Sequence, residues 1–369
     1  MPEDVEKMVH ADESASTAAV LYDDEIQQDV NVMRITEEKI RSTLYDSPIF
    51  KEYFGESSIA CADIETTGLS PRKCSVILGG LTVPGDGGTR MAFQYFADRP
   101  DEEAELLDRY CGMLGQYDTV ITYNGDSFDI PFLKKRLSAV KLRSDVLDHM
   151  YSLDLYKILR RHSDLPKLLP DMKQKTVEIF MGGGALRKDT ISGADSVKQY
   201  FEYVNSSGDR RKWLLDNILQ HNRDDIVQLT AITGILHSLD LHEIMYTEGF
   251  PIRTAAGSMI VRNMKLGKNC LTAEGEIFGE NIQYSYYRDN VQSEASGKRF
   301  FLKFDTEDVG GCSVADVRQA GSDVAEISGL GGYESGYLIL SDSDGNVQYH
   351  EANRLVRIML KKLTSLALT

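Results

Sequence analysis

Ser58-Ile59-Ala60-Cys61-Ala62-Asp63-Ile64-Glu65-Thr66-Thr67-Gly68-Leu69 begins as a run of small and apolar side chains and closes on two acids. Such a run suits a strand buried on both faces in the middle of a sheet. Asp63 and Glu65 stand two residues apart, so on a strand they project from one face, roughly 7 Å apart along the chain. Charges taken out of water must be paired or bind a metal. Both carboxylates can therefore reach one cation, or bridge two. Gly68 lets the chain turn sharply beyond them. The plainer alternative is a strand that ends in a polar turn.

Strands and helices alternate around this segment. Residues 75–83 and 89–96 read as strands joined by the Gly-rich turn Pro84-Gly85-Asp86-Gly87-Gly88. Residues 101–115 read as a helix with acids in its first turn. Thr119–Tyr123 is a strand, 129–140 a helix, 148–156 a strand running into Leu155-Tyr156-Lys157, and 210–239 one long helix. Residues 24–54 carry a helical pattern around Ile35-Thr36-Glu37-Glu38-Lys39-Ile40, capped by Thr36. This alternation predicts an α/β layer fold with a mixed sheet. After residue 250 the texture changes. Segments 282–288, 299–305, 336–341 and 346–350 read as short strands, with Asp344-Gly345 as a hairpin turn. A final amphipathic helix places Leu355, Ile358, Met359 and Leu363 on one face. The expected organisation is an acidic tail and helix over 1–48, an α/β domain over 49–245, and a smaller β-rich (α+β) accessory domain over 246–369.

Composition narrows the setting. No run of about 18 apolar residues is present to span a membrane, and the acidic N-terminus lacks the basic start of a secretory signal. The five cysteines are scattered, with no Cys-x-x-Cys pair, which fits free thiols in a reducing cytoplasm rather than a zinc site. The net charge of −16 at first opposes a polyanionic partner. Its distribution does not. Residues 1–48 hold 12 acids against 4 bases, whereas residues 131–188 hold 13 bases against 6 acids. Electrostatic steering is local, so nucleic acid stays open as a partner. The bases at Lys134, Lys135 and Arg136, at Lys157, Arg160 and Arg161, and at Arg187-Lys188 would suit phosphate contacts, or simply solvated helix faces.

Two further segments carry acids at structurally useful places. In Thr119-Val120-Ile121-Thr122-Tyr123-Asn124-Gly125-Asp126-Ser127-Phe128-Asp129-Ile130-Pro131, an apolar strand ends at the Asn-Gly turn signal and a helix follows, with Pro131 in its first turn. Asp129 thus sits at a strand-to-helix junction, the edge where open α/β sheets place their sites, although a plain helix cap uses the same residue. In the long helix, His221 and Asp225 lie one turn apart on a stripe with Ile218, Leu229 and Ile232. They could satisfy each other, or Asp225 could ligate a metal beside His221 as general base. Clustered carboxylates repel unless cations neutralise them, and hard oxygen ligands favour Mg²⁺ or Mn²⁺. Asp154 reads as a helix cap.

Taken in order, Asp63-x-Glu65-Thr66-Thr67-Gly68, Tyr123-Asn124-Gly125-x-x-Phe128-Asp129 and His221-Asn222-x-x-Asp225 resemble the three motifs of DEDD-type 3′-5′ exonucleases of the ribonuclease H-like superfamily, most of all the bacterial YprB-like branch. The resemblance covers roughly residues 55–240. It implies a ribonuclease H-like mixed five-stranded sheet flanked by helices and an exonuclease acting on single-stranded DNA or RNA at a 3′ end through two divalent cations, Mg²⁺ or Mn²⁺. On the family pattern, Asp63, Glu65 and Asp225 would hold the first metal, Asp63 and Asp129 the second, and His221 would take the proton of the attacking water. Thr66, Thr67, Leu69, Asn124 and Phe128 would meet the terminal nucleotide, with Leu69 as a wedge beside its base. One departure stands out: relatives with a catalytic Tyr place it four residues before the last Asp and those with a His five before, whereas here a His holds the Tyr spacing. The residue i, i+4 relation keeps His221 on the face of Asp225. A nucleic-acid-binding module without catalysis and a structure-specific endonuclease are the alternatives on the same fold.

Overall fold

Strand β2 (Ile59–Thr66) is the centre of the molecule, and its alternation explains why. In the computed structural model, which describes residues 33–182, 187–189, 191–254, 257–279, 282–288, 290–318 and 324–367, Ala60, Ala62 and Ile64 join one buried cluster while Ile59 and Cys61 join another. The strand is therefore covered on both faces. It pairs antiparallel with β3 (Val76–Pro84), which pairs antiparallel with β4 (Arg90–Phe96). A crossover through helix α2 (Glu103–Leu114) leads to β5 (Thr119–Thr122), parallel to β2 on its other side, and β6 (Tyr151–Asp154) lies parallel beyond it.

The sheet has six strands rather than five, and the extra one corrects the expectation for residues 35–40. Arg34–Ile40 is not helical. It forms edge strand β1, paired antiparallel to β4, so the order is β1-β4-β3-β2-β5-β6. Glu37, Glu38 and Lys39 are good helix formers, but they are also the charges that protect a sheet edge from further pairing. Pairing with β4 overrides the local preference.

Helices α2 and α3 (Asp129–Ala139) cover one face. The long helix α8 (Gly208–Ile232) covers the other; it ends in a 3₁₀ turn to Ser238 rather than continuing as helix to 239. The helices between are α4 (Leu155–His162), α5 (Leu165–Leu168), α6 (Gln174–Phe180) and α7 (Gly193–Val204), with α1 (Pro48–Phe54) before β2 and α9 (Leu241–Glu248) after α8.

The Gly79-Gly80 pair in β3 sets how closely these layers approach. A Cβ on Gly79 would lie 2.6 Å from the Tyr110 ring of α2, and one on Gly80 would lie 2.1 Å from Asn222 Oδ1 of α8. Tyr110 is fully buried and its hydroxyl donates to the Gly80 carbonyl at 3.2 Å. Gly80→Ala should therefore cost about 1–3 kcal/mol through overpacking and displace Asn222. A melting temperature within a degree of wild type would contradict this contact.

The remaining residues build two antiparallel sheets. One runs β10 (Tyr284–Arg288), β11 (Val291–Ser296), β12 (Arg299–Asp305), β9 (Cys270–Gly279), β8 (Gly257–Leu266), β7 (Phe250–Thr254); the other runs β13 (Glu307–Val309), β14 (Cys312–Asp316), β16 (Tyr337–Ser341), β15 (Tyr333–Glu334). Strands expected over 282–288, 299–305 and 336–341 are present. Residues 346–350 are not a strand: Val347 makes one isolated bridge to Ser341, and α11 (Tyr349–Leu366) starts at Tyr349; a short helix, α10 (Val324–Ile327), precedes β15. Leu355, Ile358, Met359 and Leu363 of α11 are buried as expected. Tyr284, Tyr286 and Phe300 serve core packing, Phe300 fully. One apolar cluster runs from Phe50, Tyr53 and Phe54 of α1 through β6 and the end of α8 into β7–β12 and α11. Met33 onward accordingly makes one compact unit. The acidic stretch 1–32 lies outside the described residues. The five cysteines form no disulfide. Among the described residues no helix is long and apolar enough to cross a membrane.

Candidate active site

The C-terminal end of β2, the turn after β5 and the middle of α8 meet in one cleft of about 790 Å³. Asp63, Glu65, Asp129, His221 and Asp225 all line it, so residues from three distant stretches converge. Glu65, Asp129 and His221 are buried, while Asp63 and Asp225 are half-buried.

Asp63 and Asp129 are each held by a specific donor. Asp63 Oδ2 accepts from Asn222 Nδ2 at 3.0 Å, and Asn222 Oδ1 accepts from Gln94 Nε2 at 3.0 Å. Asp129 begins α3, and its Oδ1 accepts the Ile64 N–H at 3.1 Å, which ties the second segment to the strand of the first. Asp129 is therefore both a helix-start residue and a member of the acidic cluster. His221 Nε2 lies 3.5 Å from Glu65 Oε1 and 3.5 Å from Asp225 Oδ2. These three side chains each turn a ligand-type atom to a common point, all within 4.8 Å of one another.

The electrostatics fit a cation site. Burial raises Asp63 well above the usual carboxylate range, and Asp225, Asp129 and Glu65 raise it further. Burial pushes Glu65 to about 7, against the pull of His221. Burial pushes Asp129 to about 7 as well, although the Ile64 N–H favours its charged form. Burial also raises Asp225, opposed by His221 and Arg187. Burial works to lower His221, but Asp225, Glu65 and Asp189 outweigh it and raise its proton affinity. Carboxylates in this condition take up protons or cations readily.

The nucleotide-contact expectations divide. Thr66, Leu69, Asn124 and Phe128 line the cleft. Leu69 is 85% exposed at the rim of the cleft. Asn124 takes a left-handed conformation (φ 67°), and its N–H and that of Asp126 donate to Asp154 at 2.8 and 3.1 Å. Asp154 also caps α4 through Lys157 N–H. Thr67 does not line the cleft: its hydroxyl accepts the Ser75 N–H at 2.9 Å and braces the turn after β2.

None of Lys134, Lys135, Arg136, Lys157, Arg160 and Arg161 lines the cleft. Arg136 grips Glu103 and the Pro71 carbonyl, Lys134 pairs with Asp148, and Lys157 and Arg161 pair with Glu248. Of the expected bases Arg187 lines the cleft, joined by Lys173, Lys175 and Lys198.

Two participants were not legible in the motifs. Asp189 Oδ2 lies 2.6 Å from His221 Nδ1 and also takes Lys175 Nζ at 3.0 Å. Arg187 bonds Asp225 and forks onto Glu178 at 2.5 and 2.9 Å. Asp224, which lies about 100° round the helix from Asp225, is no part of the acidic cluster. It accepts the N–H groups of Lys188 and Asp189 at 2.6 and 2.8 Å and so positions that segment.

The profile of the RNase_H superfamily called RNase_H_2 matches residues 60–237. Match and topology agree on the fold: residues 60–237 form a ribonuclease H-like α/β layer. Similar solved structures include the family B DNA polymerase from the hyperthermophilic archaeon Pyrobaculum calidifontis, with 18% identity over 49% of this chain and 24% of that one (TM-score 0.39). Exonuclease I is another, with 10% identity over 60% of this chain and 55% of that one (TM-score 0.35). The chain thus spans about a quarter of the polymerase and about half of exonuclease I. No curated protein sequence matches it.

Proposed function

We propose that the protein is a metal-dependent nuclease, specifically a 3′-5′ exonuclease on single-stranded nucleic acid and closest to the YprB-like branch. The observation that supports this most is the convergence of Asp63, Glu65, Asp129 and Asp225 with His221 in one cleft. Four carboxylates so placed repel one another until protons or cations neutralise them, and divalent ions do so while leaving them charged.

Asp63, Glu65, Asp129 and Asp225 would hold the divalent ions, Mg²⁺ or Mn²⁺. Bound, such ions supply Lewis acidity at a phosphodiester. The chain's own groups do the rest. His221 Nε2 faces the acids and takes a proton from water, while Asp189 holds Nδ1–H and fixes the tautomer. Leu69, Asn124 and Phe128 seat the last nucleotide, and Lys173 and Lys198 at the rim meet phosphates. Residues 246–369 serve as an accessory domain, and the scattered unpaired cysteines suit the cytoplasm.

End-labelled single- and double-stranded DNA and RNA, incubated with Mg²⁺, Mn²⁺ or EDTA, test this reading. Mononucleotides released from 3′ ends with either cation, and none in EDTA, are expected. Internal fragments would make it an endonuclease, and binding without cleavage a recognition module.

A further inference from the structure

Away from the acidic cleft, three helices bring together a second set of ligating side chains: Glu52 on α1, His242 on α9 and His350 on α11. One ligand-type atom from each lies within 4.8 Å of the other two. His350 Nε2 is 3.1 Å from Glu52 Oε1, and the two imidazole rings lie 4.2 Å apart, tilted by 33°. His242 is held from behind: Tyr53 OH is 2.7 Å from its Nδ1, and Asn353 Nδ2 donates to both Tyr53 OH and the His242 carbonyl at 2.9 Å. An outer partner on Nδ1 fixes the ring and aims the other nitrogen, as ligating histidines require.

We propose that Glu52, His242 and His350 form a second divalent-metal site, suited to Zn²⁺ rather than Mg²⁺, that clamps the C-terminal helix onto α1 and α9. Two imidazoles and one carboxylate are a zinc-type donor set, whereas Mg²⁺ wants oxygen alone. The Glu52–His350 ion pair by itself accounts for only two of the three side chains. It leaves the His242 ring stacked on that of His350. His350 and Glu52 keep 36% and 19% of their side-chain surface, so an ion can enter and water can fill the fourth position. Arg354 stands 3.7 Å from Glu52 but also reaches Glu326 at 3.5 Å, so it keeps an anionic partner when Glu52 turns to a cation.

The test is calorimetric titration of the full-length protein with Zn²⁺ in excess Mg²⁺, beside thermal denaturation. Wild type and Asp225→Ala, which weakens the acidic cleft, should each bind one equivalent that Glu52→Gln and His350→Gln both lose. Zn²⁺ should raise the melting temperature by on the order of a few degrees where that equivalent is present. Mg²⁺-dependent cleavage, measured without Zn²⁺, should stay within about twofold in Glu52→Gln and His350→Gln. Equal Zn²⁺ stoichiometry in wild type and both variants, or no tight Zn²⁺ binding in Asp225→Ala, would overturn the site whether or not the protein proves to be a nuclease. If one of the paired variants does not fold, the other decides.

Discussion

Replacing Asp63 by Asn is expected to remove Mg²⁺- or Mn²⁺-dependent cleavage, by on the order of 10³-fold or more, while raising the melting temperature of the metal-free protein at neutral pH. The two effects have one cause. Asp63 sits among Asp225, Asp129 and Glu65, and burial followed by these neighbours raises its proton affinity. Asparagine keeps the size and can still accept the Asn222 amide, but it removes a charge that the empty site does not welcome. Asp225 is a poorer test of this point, because Arg187 already neutralises it. The same physics sets a pH dependence. A carboxylate whose folded pKa is raised contributes stability that is complete below its unfolded value, 4.5 for Glu65, and lost as pH rises through about 7. In EDTA the protein should therefore lose melting temperature between pH 5 and 7.5 from this cluster, Asp63→Asn should lose less, and Mn²⁺ should restore most of the loss. A variant less stable than wild type in EDTA at pH 7.5 would show that the acids are not crowded.

How much of this was legible follows from where each signal lies. Asp63 and Glu65 announce themselves because a doubly buried strand must be apolar, so acids at its end stand out. The three motifs sit on elements whose periods are strong, and the sheet positions them. Strand β1 was hidden because Glu37, Glu38 and Lys39 favour a helix locally, and only the β4 partner, more than 50 residues away, makes them a strand. Asn222 was in plain view beside His221, yet one residue on a helix is a 100° turn, and its function depends on the gap left by Gly80. Asp189 has no local signature at all. Its segment is neither strand nor helix, and it reaches His221 only because Asp224 fixes the backbone there.

That contact makes the role of His221 measurable. His221→Ala should lower the cleavage rate by on the order of 10²–10⁴-fold, the range for loss of a general base. The geometry permits a second role, since Nε2 is equally close to Glu65 and Asp225 and could be a ligand. The Mn²⁺ dependence separates the two: loss of a base lowers the maximal rate at an unchanged Mn²⁺ midpoint, whereas loss of a ligand moves the midpoint upward. Asp189→Asn should have a smaller effect with its own signature. Asp189 is among the groups that raise the proton affinity of His221, so its neutralisation lowers it. A base must be unprotonated to act, and the half-rise of the rate against pH should move to lower pH as the maximal rate falls. An unchanged profile would reduce Asp189 to a contact that steadies the segment beside α8. Because Lys175 and Arg187 also bond Asp189, Lys175→Met should move the profile the opposite way, since one fewer cation then competes with the imidazole for the same carboxylate.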